Sequence, residues 1–272
     1  MNTSMLWLEL RLRVREKKLW IVSVLYMLCL GFIFTTVLLT IGLGDALVSP
    51  SYHGRTLTYT TLYTLLGLLI ILSPLAGAGR ISQEHEQRTI LAVLNTPVSR
   101  LSIVIGKLLS TWLFILWLAS LCLPFLFVAG LWGGLPIQST LLAFVFNVLS
   151  GMTCSAIALG LSGYFKRTAT STLTAGLALF FWCAVIPIFG GLFATLMRYL
   201  DGAARELTEA VLPYIFFYHN PVFPLIWLTT TTRDSTQFNS LIFPIYAIAV
   251  WIVITIASIA IATRSLKQNI SV

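Results

Sequence analysis

Charge is scarce in this chain. Asp, Glu, Lys and Arg make up 10% of its 272 residues, and only nine are acidic. A soluble globular domain is about a quarter charged, so a water-facing fold is excluded and a membrane class follows. Between Lys107 and Lys166 there is no charged residue at all, a length that holds two helical spans of about 20 residues each. Cysteine is equally sparse. Cys29, Cys122, Cys154 and Cys183 fall inside apolar runs, without metal-ligand or pairing spacing, and read as small packing hydrophobes. His53, His85 and His219 stand apart from one another and from any second ligand, which argues against a metal site. No basic patch alternates with exposed aromatics, so nucleic acid is not an expected partner.

What is abundant is apolar sequence, 58% of the chain. The runs predict a single all-α integral membrane domain over residues 1–272, with six transmembrane helices at 19–43, 57–78, 107–130, 139–163, 168–196 and 238–263. A loop with Asp45, Pro50, His53 and Arg55 separates the first two. Gly133-Gly134-Leu135-Pro136 divides the third from the fourth, and Lys166-Arg167 closes the next connection. The first run is too long for a signal-peptide core and lacks a small-x-small cleavage site. In residues 1–18 the apolar positions Leu6, Leu8, Leu10, Leu12 and Val14 recur at every second residue, the period of a strand. An unpaired strand beside a bilayer leaves its backbone unsatisfied, so the expectation is an interfacial helix. Asp201, Arg205, Glu206 and Glu209 predict a short surface helix. Residues 211–232 carry Pro213, Pro221 and Pro224, which disfavours a continuous span and predicts a re-entrant pair of half-helices. With six spans, 13 of the 17 basic residues fall on one face; the positive-inside rule makes that face, and both termini, cytoplasmic.

The one long polar interruption in the first half runs from Arg80 to Lys107. Glu84, His85, Glu86, Gln87 and Arg88 lead into Ile90, Leu91, Val93 and Leu94, then Asn95-Thr96-Pro97. The spacing predicts a short amphipathic helix stopped at Pro97, with a new helix starting at Ser99 or Ser102. Such a helix between two spans has the form of a docking surface for a soluble partner, and equally that of a solvated loop. The segment resembles the signature of ATP-binding-cassette exporter permeases of the ABC-2 type (type V exporter-like). The matching positions are Glu84, Glu86, Thr89, Leu91, Leu94, Thr96, Pro97, Ser99, Arg100, Gly106 and Lys107. Arg88 and Ala92 stand where the family commonly has Gly and an acidic residue. The resemblance implies a coupling helix between spans 2 and 3, with Glu84, Glu86, Arg88, Thr89, Leu91, Leu94, Thr96, Pro97 and Arg100 meeting an ABC ATPase subunit. It also implies two copies of that ATPase, binding ATP and Mg, a second copy of this chain or a related permease, and the inner membrane of a prokaryote. The N-terminal interfacial helix and dipping helices between spans 5 and 6 agree with it.

Leu161-Ser162-Gly163-Tyr164 and Gly106-Lys107 are chance echoes of nucleotide-binding strings, since the first lacks its second Gly and the second its upstream Gly and following Ser/Thr. The chain is therefore expected to hold no nucleotide, cofactor or metal of its own and to be no enzyme. No Asp, Glu, Lys, Arg or His is expected within any of the six spans, which leaves neither a midplane proton relay nor a catalytic group. On the fourth span, Asn147, Ser150, Gly151, Cys154, Ser155, Ala158 and Ser162 fall on one face; the stripe suits close helix packing or a polar lining for a substrate path. The sequence thus predicts the permease subunit of an ATP-driven exporter. An ion-coupled secondary transporter and an energy-transmitting subunit that moves no solute are the alternatives.

Overall fold

In a bilayer, a helix is the structure in which a single charge-free run satisfies its backbone within itself. The computed structural model describes residue 11 and residues 17–43, 50–90, 98–197, 216–226 and 242–268, with no strand among them. The helices are α1 (Lys17–Leu43), α2 (Pro50–Gly77), α3 (Gly79–Glu86), α4 (Arg100–Ser120), α5 (Leu123–Leu131), α6 (Ile137–Tyr164), α7 (Thr168–Phe180), a π-helical turn (Phe181–Val185), α8 (Ile186–Met197) and α9 (Ile242–Gln268). They supply six segments long and apolar enough to cross a membrane. The third consists of α4 and α5, and the fifth of α7, the π turn and α8. Hydroxyl groups inside the spans fold back on their own helix: Ser23 donates to the Leu19 carbonyl at 2.9 Å, Thr61 to Leu57 at 2.7 Å and Ser258 to Ile254 at 2.8 Å. That pairing lets polar side chains sit in an apolar solvent.

Prolines set the breaks. Pro50, which needs no amide partner, opens α2, so Pro50, His53 and Arg55 are helical and not the loop the charges suggested. Pro124 lies in the first turn of α5, just after the Leu121–Cys122 turn that interrupts the third span. Pro74 precedes the end of α2 by less than one turn. Pro187 follows the π turn within α8. The spans are also not free of charge: Lys107 lies in the second turn of α4 and is 3% exposed.

α6 is the pillar of the bundle. In its most apolar stretch 61% of residues are buried, against 17% in the fifth span and 22% in the first and last. Small residues allow that. A Cβ on Gly77 of α2 would stand 2.6 Å from the Ser155 carbonyl of α6, and one on Gly163 would stand 3.1 Å from the Ala262 Cα of α9. Backbones approach to contact, as membrane helices do where glycine and serine line the interface.

Several expectations lie outside the described residues: the interfacial helix apart from Arg11, Lys17 and Lys18, residues Leu91, Leu94, Thr96 and Pro97, the surface helix at 201–209, and all of 211–232 except 216–226.

Candidate functional site

The Arg80–Lys107 interruption begins as α3, a polar helix turned off the end of α2. Ala78 separates the two, and its carbonyl accepts the hydroxyls of Ser82 (2.9 Å) and of Ser171 on α7 (2.7 Å). At the start of α3 no side chain of its own caps the amides. Ser162 of α6 does so instead, accepting from the Ile81 and Ser82 amides at 3.0 Å each. The two carboxylates of α3 leave in different directions. Glu84 pairs with Lys107 of α4, whose side chain is 4% exposed against 21% for Glu84. Glu86 reaches Thr168, the first residue of α7, accepting its hydroxyl at 2.6 Å and its amide at 3.1 Å. Both residues implied as partner contacts are thus already engaged within the chain.

Beyond the apolar spans, these contacts tune the ionisable groups. The hydroxyl and then the amide of Thr168 hold the Glu86 carboxyl below the usual carboxylate range. Burial first, and Lys166 second, hold His85 below the ordinary imidazole range, against the opposing pull of Glu84. Burial and Lys166 thus both favour the neutral imidazole.

α3 does not run on through Arg88, as the expected helix over 84–97 required. It ends at Glu86. The amide of Thr89 bonds the Glu84 carbonyl at 2.9 Å and that of Arg88 bonds His85 at 3.1 Å, while Arg88 has φ 58°. This is a Schellman end, whose left-handed position is normally glycine. Arg88 thus holds a position that needs the conformation glycine adopts without strain. Arg88 and Thr89 are exposed. Arg100 opens α4 behind Ser99, whose hydroxyl caps it by accepting from Ser102 at 3.3 Å.

A cavity of about 390 Å³ opens beside α3, between α1, α2, α4 and α7, lined by apolar residues including Leu19, Val22, Leu75 and Phe114 and by polar ones including Arg80 and Gln83.

The α6 stripe lies inside the bundle. Asn147, Ser150, Gly151, Cys154 and Ser155 are all buried. Asn147 Nδ2 donates to the Leu62 carbonyl at 2.9 Å, and the Gly151 carbonyl accepts Ser73 of α2 at 3.0 Å. In the chain by itself, Asn147 and Gly151 join α6 to α2, while Cys154 packs with Leu179 and Trp182 of the fifth span.

A second polar anchor was not visible from the sequence. Asn220, 1% exposed, donates Nδ2 to the carbonyls of Trp182 (2.8 Å) and Cys183 (3.1 Å) in the π turn. Its Oδ1 accepts from the Val222 amide at 2.9 Å. Pro187 has no N–H for the carbonyls four and five residues before it, and Asn220 supplies the missing donor. Next to it, His219 stacks on Trp182, and its carbonyl accepts Trp251 Nε1 of α9 at 3.0 Å. The available signal was the pair itself: a proline inside one apolar run and a buried-type amide in the next.

No curated protein matches the chain. A family model described as "ABC-2 family transporter protein" matches residues 3–267, nearly its whole length. Six apolar helices and that match point the same way: the chain belongs to the ABC-2 family of transporter proteins, as a multi-pass membrane permease of the kind that works with an ABC ATPase.

Proposed function

We propose that this permease is the membrane half of an ATP-driven exporter, working as a pair of permease chains with two ATPase subunits that bind and hydrolyse MgATP. The basic face, with both chain ends and α3, is cytoplasmic; 13 of 17 Lys and Arg residues on it support that orientation. The observation that carries the reading is α3, a polar helix joined by side chains to α4, α6 and α7 and leading directly into residues 87–97. A partner pressing on that segment acts on three spans at once. Leu91 and Leu94 are the apolar anchors for the partner's groove, and Arg88, Thr89, Thr96, Pro97 and Arg100 frame them. The apolar cavity with Arg80 and Gln83 in its lining suits an amphiphilic substrate.

Burying two leucines contributes about 1.5–3 kcal/mol each at most, so Leu91→Asp/Leu94→Asp is expected to abolish co-purification with the ATPase while the permease still inserts. Undiminished recovery of an active complex would reduce the segment to a solvated loop. Solute movement that persists without any ATPase would favour an ion-coupled carrier, and hydrolysis with no solute moved would favour an energy-transmitting subunit.

A further inference from the structure

Glu84 and Glu86 are two residues apart on α3 and so project to well-separated sides of the helix. One side is tied to α4 through Lys107, the other to α7 through Thr168. Arg167, at the cap position of α7, offers no side-chain cap. The first amide of the fifth span is thus served from another helix, by a carboxylate that also complements the helix dipole. Ser171, one turn further on, repeats the link by donating to the Ala78 carbonyl. The fifth span is the least buried of the six, so polar ties at its end matter more to its position than they would for α6.

We propose that Glu86 is a positioning residue that carries movement of the segment after α3 into the fifth span, with Thr168 as the receiving group and the Glu84–Lys107 pair as the pivot. This deepens the coupling reading above and rests on it. The Schellman end leaves only Gln87 and Arg88 between Glu86 and Thr89, whose amide is bonded back to Glu84. The joint between the docking segment and α3 is therefore short. Displacement there turns α3 about Lys107 and draws the start of α7 with it.

The test uses the complete permease–ATPase complex in lipid nanodiscs, with an environment-sensitive fluorophore on a cysteine replacing Leu192, an exposed residue of α8. With Glu86 intact, ATP should change the emission. Thr168→Val, which removes one hydrogen bond, should reduce that change about fivefold, and Glu86→Ala, which removes two, should reduce it further, while ATP hydrolysis and thermal stability of the Thr168→Val complex stay close to those of the unaltered complex. Thr168→Ser, which keeps the hydroxyl, should restore it. Equal losses of fluorescence change, hydrolysis and stability would mean a merely structural contact and overturn the proposal. So would a full fluorescence response in Glu86→Ala, which leaves the coupling reading intact. An ATPase that fails to co-purify with the unaltered permease would remove the coupling reading, and this proposal with it.

Discussion

α6 and the fifth span are both long apolar helices, yet the chain holds them by different means. α6 is gripped along its length: glycine and serine bring its backbone against α2 and α9, Asn147 donates to the Leu62 carbonyl, and its Gly151 carbonyl accepts from Ser73. The fifth span is the least buried; Ala175, Leu179 and Trp182 pack it against the bundle, and polar ties hold it at separate points. Glu86 and Ala78 receive its first turns, and Asn220 fastens its middle at the π turn. Backbone contact over many residues resists displacement, because every turn would have to move together. A helix held by fewer contacts can shift when one of its hydrogen bonds changes. The contrast separates a pillar from a lever, and π turns inside helices are frequent at functional sites.

The largest expected effect comes from the pivot. Lys107→Met leaves the Glu84 carboxylate without its cation and should destabilise the protein by about 3 kcal/mol, the low end for a broken buried pair because Glu84 is partly exposed. Adding Glu84→Gln should recover most of the loss in a thermal melt of the purified permease. Next is a pair of valines that sets pillar against lever. Gly77→Val meets the Ser155 backbone and should destabilise by about 1–3 kcal/mol. Gly191→Val in α8 meets nothing within 4 Å and should change the melt by no more than about 0.5 kcal/mol. Similar losses from both would erase the distinction.

Asn220→Leu should follow, at about 1–2 kcal/mol, because the Trp182 and Cys183 carbonyls lose their donor. Its mark should be increased cysteine reactivity at Cys183 with that at Cys122 in the third span unchanged. The smallest effect has the opposite sign. Arg88→Gly removes a left-handed non-glycine residue and should stabilise α3 by about 1 kcal/mol, read as a higher melting temperature.

The six spans were legible because about 20 apolar residues without charge have few alternatives in a bilayer. The family resemblance was legible because the residues that carry it are contiguous. The ties around it were not. Thr168 and Ser162 are some 80 residues from α3, and nothing local distinguishes them from other hydroxyl residues of the spans. The break at Arg88 was hidden because an arginine occupies a glycine position, and propensity favours arginine inside a helix. Pro187 was overlooked within an otherwise uniform run, and with it the place where Asn220 docks. The α6 stripe was legible as a face, and the contacts to Leu62 and Ser73 show what that face meets.

The most direct test of the pillar-and-lever account is a pair of spin-label distances in the complete complex, with labelled permease diluted by unlabelled copies. One pair joins α6 to α9 through exposed Leu142 and Ile256, and the other joins α6 to α7 through Leu142 and Leu177. The account predicts that MgATP leaves the first distance narrow and unchanged and shifts or broadens the second. A first distance that moves as much as the second would contradict it.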